Sequence, residues 1–415
     1  MKHIIKKLHA RQIIDSRSSP TIEVDIVLES GARGRAAVPA GASTGETEAV
    51  EKRDEEANYY HGRGVKNAVT TATNVIAPKI INQELDQEAL DLLLINLDGT
   101  DNKNKLGANT ILAVSLAFAQ AQATAQQIPL YKLFLKEQSI VPPRAMFNIL
   151  NGGAHTNNGL AFQEFMVMPK LDSWANNLRC GVEIYNSLKK ILETKNYSTA
   201  VGDEGGFSPH LENNRQALDL ILTAGQKAGY RPEIDFELTL DIAANSFFKE
   251  GQYQTDNQKL DRLNFIDQLI DTATTYPIYS IEDPLVENDL EGFAILNQKL
   301  ANQTIIIGDD LTVTSAVKIK EAAENQAISG VIIKPNQIGT VTETIKAVYT
   351  AKKHNLQTIV SHRSGETEDI SIAHLAIGLQ APLIKFGAPA RGERTAKYNE
   401  ISRIIEQNDL NNFNI

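Results

Sequence analysis

The chain has 415 residues, with 51 acidic against 41 basic side chains and a formal net charge of −10. That balance argues against a broad basic face for nucleic acid, while leaving room for a local pocket that takes an anionic ligand. Hydrophobic content of 42% and charged content of 22% are ordinary for a globular protein of two or three domains. The single cysteine, Cys180, excludes an internal disulfide and fits a reducing compartment, so a cytoplasmic location is expected.

The N-terminal stretch MKHIIKKLHARQII is basic but lacks the continuous apolar core of a signal peptide. From 21 to 28, TIEVDIVL places Ile22, Val24, Ile26 and Leu28 on one face and Glu23 and Asp25 on the other, the period of a half-buried strand. Ser30 and Gly31 turn the chain, and RAAVP returns it as a hairpin partner. AGASTG at 40–45 resembles a phosphate loop only in its glycines, because it lacks the GK[ST] ending. Helical spacing follows over 65–81, 84–95 and 108–126. The last of these, ANTILAVSLAFAQAQATAQ, is broken by Thr110, Ser115 and glutamines and reads as a buried helix, not a membrane span. Strands followed by helices predict an α+β domain. Two prolines in KEQSIVPPRA then mark a boundary. We assign 1–136 to an N-terminal α+β capping domain and 137–415 to a C-terminal α/β barrel.

Past that boundary strands and helices alternate to about residue 390, and TAKYNEISRIIEQ closes the chain as a helix. Five apolar runs end on reactive side chains. FELTLD ends on Asp241, PIYSIED carries Glu282, TIIIGDD carries Asp309, GVIIK ends on Lys334, and QTIVSHRS carries His362 and Arg363. The last four recur every 25 to 28 residues, the length of a βα unit. In a (β/α)8 barrel the C-terminal strand ends converge on one face, where active sites are built. A lone carboxylate at a strand end is more often a cap or an ion-pair partner, but three in succession are candidate ligands for a hard divalent cation such as magnesium.

Lys334 has two readings: a salt bridge to Asp309 or Glu282, or a general base whose ammonium form is destabilised by a nearby cation and by Lys385 at the end of APLIK. Arg363 beside Ser361 and Ser364 suits capture of phosphate or carboxylate, with a solvated loop charge as the plainer alternative. Glu204 between the glycines of GDEGG, and NGGAH at 151–155, are hard to explain by packing. The other histidines, His374 among them, show no metal-ligand spacing and read as surface or cap residues, and Cys180 reads as core.

These residues sit in VPAGASTGETEA, KLGANTILAVSLA, LNGGAH, FQEFMVMP, VGDEGGFSP, SIEDP, GDDLTVT, IIKPNQIGT, SHRSGETED and IKFGAPARGER. From about Arg11 to Arg403 the chain resembles the enolase family. The resemblance implies a TIM-like barrel of enolase type and a magnesium-dependent dehydration of 2-phosphoglycerate to phosphoenolpyruvate, with two Mg2+ ions during turnover. It implies that Asp241, Glu282 and Asp309 hold the tighter ion, and that Ser43 rides a closing loop that helps place the second. Lys334 would take the proton from carbon 2, and Glu204, helped by Glu164, would protonate the departing hydroxyl. Arg363 and Ser364 would hold the phosphate and Lys385 the carboxylate, with His155, Gln163 and His362 lining the site. It further implies a homodimer or larger ring, with secondary protein partners possible in some members.

Five positions depart from the family pattern. Ser18 and Ser19 replace the glycine and asparagine of DSRGNPT, Ala40 replaces a serine, and Asn245 and Ser246 replace a serine and glutamate. A positive φ at position 18 would strain the serine. Two rivals share parts of the pattern: a racemase or cycloisomerase acting on a carboxylate without phosphate, and a non-catalytic protein on the same scaffold.

Overall fold

The computed structural model describes residues 1–415 except 43, 44, 138, 157, 302 and 413–415. Its first sheet has the order β3-β2-β1-β4 and is built from β1 (His3–Ile14), β2 (Pro20–Leu28), β3 (Arg33–Ala37) and β4 (Glu84–Leu85). The alternation read in TIEVDIVL holds, with Ile22, Val24, Ile26 and Leu28 all buried, and β3 pairs antiparallel to β2 as the hairpin spacing predicts. No period predicts β1. Its apolar residues do not alternate, and its pairing with β2 shifts register between Ile5 and Lys7.

The helix expected over 65–81 runs from Lys66 to Ile80 but widens to a π turn at Ala72–Ile76. Pro78 follows that turn and offers no N–H to the ladder. The helix expected from 84 starts instead at Gln87, because Asp86 caps it by accepting from the Ala89 N–H, and Glu84 and Leu85 pair with β1. The helix Ala108–Ala125 is buried nearly throughout and packs on the sheet. Among the described residues no helix is long and apolar enough to cross a membrane.

The second unit is a closed eight-stranded barrel. Its strands are β5 (Arg144–Asn151), β6 (Glu164–Pro169) and β7 (Phe236–Asp241), then, after a small ribbon of β8 (Phe248–Lys249), β9 (Gln252–Thr255) and β10 (Gln258–Leu260), β11 (Ile278–Glu282), β12 (Ile305–Gly308), β13 (Gly330–Ile333), β14 (Gln357–Ser361) and β15 (Leu383–Lys385). The ring order is β11-β12-β13-β14-β15-β5-β6-β7. It is not a uniform alternation: β6 runs antiparallel to both β5 and β7. An antiparallel neighbour needs no helical crossover, so β5 reaches β6 through a loop and two helices follow together, Trp174–Thr194 and Asn214–Lys227.

Side chains two residues apart on a strand share a face, so the barrel interior is layered. Met146, Met166, Met168, Ile307, Ile332, Ile359 and Leu383 form a buried apolar plug. Full burial of each contributes roughly 1.5–3 kcal/mol. One layer up, on the same strands or one residue past their ends, stand Glu164, Asp309, Lys334, Ser361 and Lys385. The first unit closes over this rim. Ala40 exchanges backbone hydrogen bonds with Gly365, and Asp91 accepts from the Thr342 N–H at 2.9 Å.

Ser18 has φ +58°, in a turn where Asp15 accepts from the N–H groups of Arg17 at 2.9 Å and Ser19 at 2.8 Å. A left-handed conformation costs a non-glycine residue roughly 1–2 kcal/mol. Ser18→Gly is therefore expected to stabilise the protein by about 1 kcal/mol, read as a higher thermal midpoint. An unchanged or lower midpoint would show that the Asp15 turn absorbs the strain.

Candidate active site

The C-terminal strand ends bring the predicted residues together. One cleft is lined by His155, Gln163, Glu164, Glu204, Asp241, Asp309, Lys334, His362, Arg363, Ser364 and Lys385. Glu282 lies just beneath, bonded to Lys385. Ser43 lies outside the described residues.

Lys385 is buried at the centre of the acidic set. Its Nζ stands 2.8 Å from Asp241 Oδ2, 2.8 and 2.9 Å from the two Glu282 oxygens, and 3.1 Å from Glu164 Oε1. Gln163 donates to Asp241 at 3.2 Å. Asp309 accepts from Lys334 Nζ and, at 2.9 Å, from Gln337. Burial works against the charged form of Lys334, but Asp309 beside it more than offsets this and raises its pKa. The ion-pair reading of Lys334 is thus the geometry present, and its use as a base requires Asp309 to be engaged elsewhere.

Burial and the Asp241 charge push the Glu282 carboxyl well above its ordinary value despite Lys385. Oxygen donors this short of positive charge fit a hard divalent cation. Lys385 bridges Asp241 and Glu282, while Asp309 pairs with Lys334. Among the described residues, potential ligand atoms draw within 4.8 Å of one another in two other groups, Asp283–Asp309–Asp310 and His155–Glu164–Glu204.

Across the cleft, Glu204 and Glu164 form a second unit. Asn148 donates to Glu164 at 2.9 Å and to Glu204 at 3.1 Å, while His155 and His362 each place Nε2 3.3 Å from Glu204. Burial opposes ionisation of Glu204, but the facing imidazoles hold it well below the usual carboxylate range. Burial and the Glu204 charge push Glu164 well above that range. Two carboxyls this close titrate as a coupled pair and not as independent groups. Glu204 reaches this position on a loop that threads tightly: a Cβ at Gly206 would come within 2.5 Å of Asn148 Oδ1.

In the ring order Lys334, on the β13 side, stands four strands from Glu164 on β6 in either direction. The lysine and the acid pair therefore occupy opposite walls, with Asp241, Glu282 and Lys385 between. On the remaining side Arg363 is buried against Glu48 at 3.0 Å and Asn336 at 3.2 Å, and Ser364 Oγ accepts from the Ala42 N–H at 2.7 Å.

Sequence reasoning did not single out Asn148, Glu48, Gln337, Asp283, Asp310 or Arg394. Asp283 and Asp310 each sit beside an assigned carboxylate, and that adjacency was their only signal. His374, read as a surface or cap residue, is buried, stacked on Tyr131 and 3.2 Å from Glu400. Of the departures, Asn245 donates to Asp310 at 3.2 Å and accepts from the Glu287 N–H at 3.1 Å, next to the site but outside its lining.

Comparison with known proteins agrees with this geometry. Residues 5–134 match the family described as the enolase N-terminal domain, and residues 139–413 match the enolase C-terminal TIM barrel domain. The enolase of Ehrlichia canis (strain Jake) is 45% identical over 408 residues, covering 98% of this chain and 97% of the relative. The enolase of Ehrlichia ruminantium (strain Welgevonden) is 45% identical over 399 residues, covering 96% of this chain and 95% of the relative.

Proposed function

This chain belongs to the enolase family and is a carbon–oxygen hydro-lyase that interconverts 2-phosphoglycerate and phosphoenolpyruvate, and we propose that the carboxylate–lysine cleft carries the reaction as follows. Lys334 removes the proton from carbon 2. The Glu204–Glu164 pair acts as one acid and delivers a proton to the hydroxyl leaving carbon 3. The observation that carries this reading is their placement on opposite walls, which suits proton removal from one face and hydroxide loss from the other.

Loss of a proton beside an anionic carboxylate builds a second negative charge, and hydroxide is a poor leaving group, so both charge neutralisation and an acid are needed. Magnesium held by Asp241, Glu282 and Asp309, with Ser43 for a second ion, would supply that neutralising charge and draw Asp309 away from Lys334. Lys385 orients the substrate carboxylate. Arg363 and Ser364 take the phosphate, and Arg363 then exchanges Glu48 for that anion. His155, Gln163 and His362 fix the acid pair and Asp241 in place. The capping unit, divided from the barrel near residue 137, would exclude water. We further propose a cytoplasmic enzyme working as a homodimer or larger ring.

The test follows the ultraviolet absorbance of phosphoenolpyruvate formed from 2-phosphoglycerate. Turnover should appear with magnesium, fall to background on chelation and return when the ion is restored. Turnover of an unphosphorylated hydroxy acid with none of 2-phosphoglycerate would overturn the assignment to Arg363 and favour the racemase-like rival.

A further inference from the structure

Arg394, on the final helix Gly392–Asn412, is fully buried yet lies outside the cleft lining. Its Nη1 donates to the Arg363 carbonyl at 2.5 Å and lies 2.6 Å from His362 Nδ1. Its Nη2 donates to the Ser364 carbonyl at 2.6 Å and the Asp203 carbonyl at 3.1 Å. The place is shaped for this contact. A Cβ at Gly387 would meet His362 Cε1 at 2.8 Å and Arg394 Cδ at 2.9 Å.

A guanidinium only donates, so the His362 Nδ1 facing it must be a bare acceptor. The one proton of a neutral imidazole then sits on Nε2, the atom 3.3 Å from Glu204 Oε2. We propose that Arg394 is a positioning residue that locks His362 in its Nε2–H tautomer, so that the ring presents a fixed N–H towards Glu204, available to donate to it, and is not a proton carrier. Through the three carbonyls it also ties the Arg363–Ser364 loop to the loop of Glu204. Burial, which with Arg394 lowers the His362 pKa to about 4, keeps the ring neutral at ordinary pH. The inference rests on the reading of Glu204 as part of the acid.

The test begins with nitrogen NMR of histidine rings in the native protein, the His362 signals being identified by their loss in His362→Gln. A ring protonated on Nε2 alone is expected. Protonation on Nδ1, or on both nitrogens near neutral pH, would overturn the proposal. Arg394→Met should give a mixture of tautomers and lower turnover by about 10–100-fold while sparing carbon 2 exchange. An unmixed Nε2–H ring in that variant would also overturn it. If that variant does not fold, the histidine variants decide. Gln places an amide N–H where Nε2 stands, so His362→Gln should stay within about tenfold of native turnover, whereas the shorter His362→Asn should lose about 10²-fold. Equal losses would return His362 to a proton-carrying role. The tautomer is read without turnover, so it fails separately from the assignment of Glu204, which fails if Glu204→Gln dehydrates at the native rate.

Discussion

Lys334→Ala should abolish exchange of the carbon 2 proton of 2-phosphoglycerate with solvent, and Glu204→Gln should leave that exchange running while dehydration stalls. Each loss of turnover is expected at about 10²–10⁴-fold, the usual worth of a positioned acid or base. The split follows from geometry. Lys334 contacts Asp309 on one wall, while Glu204 belongs with Glu164, His155, His362 and Asn148 on the other. Removing the lysine leaves the acid pair intact. Neutralising Glu204 leaves the base intact but breaks the coupled carboxyl pair. Deuterium uptake at carbon 2, followed by NMR in heavy water with magnesium present, reads the first step alone. Equal loss of uptake in both variants would mean that base and acid are not divided this way. Lys334→Ala also unpairs Asp309, so magnesium affinity should be measured alongside it, to separate lost chemistry from altered ion binding.

The site was legible wherever strand periodicity ended on chemistry. Asp309, Lys334 and Lys385 each close a short apolar run, and the residue two positions earlier, Ile307, Ile332 or Leu383, belongs to the barrel plug. That fixes their direction: a side chain two places past a plug residue points into the barrel mouth. β1 was not legible, because its burial depends on neighbouring elements and not on its own alternation. The antiparallel β6 was equally hidden, since FQEFMVMP is apolar enough to sit in either direction. Arg394 shows the deeper limit. Nothing in ARGER distinguishes a buried guanidinium from a solvated one, and its value lies in partners from two distant loops. Ser18 was the reverse case, in which a departure from a family pattern pointed to a positive φ that the turn has.

Lys385→Met should destabilise the metal-free protein by about 3–5 kcal/mol, the cost of removing one partner from a buried ion cluster. The methionine fits the volume and keeps the apolar stem, so the change isolates the charge. Glu282, Asp241 and Glu164 would then face one another with no ammonium among them. Burial and the Asp241 charge already hold Glu282 well above its ordinary value. Without Lys385 its folded pKa rises further, and so does that of Glu164. The folded variant then binds more protons than its unfolded chain near and below neutral pH, so its stability grows as pH falls. In the native protein Lys385 has a pKa raised well above normal, because the surrounding carboxylates outweigh burial. Its contribution is therefore fully present at neutral pH and is lost only in strong base. The gap between variant and native protein should accordingly narrow between about pH 7.5 and 5.5. Thermal midpoints in chelator at those two values measure it, and magnesium at the higher pH should close part of the gap by replacing the missing charge. A gap of the same size at both pH values would mean that packing of the lysine stem, and not its charge, holds the barrel mouth together.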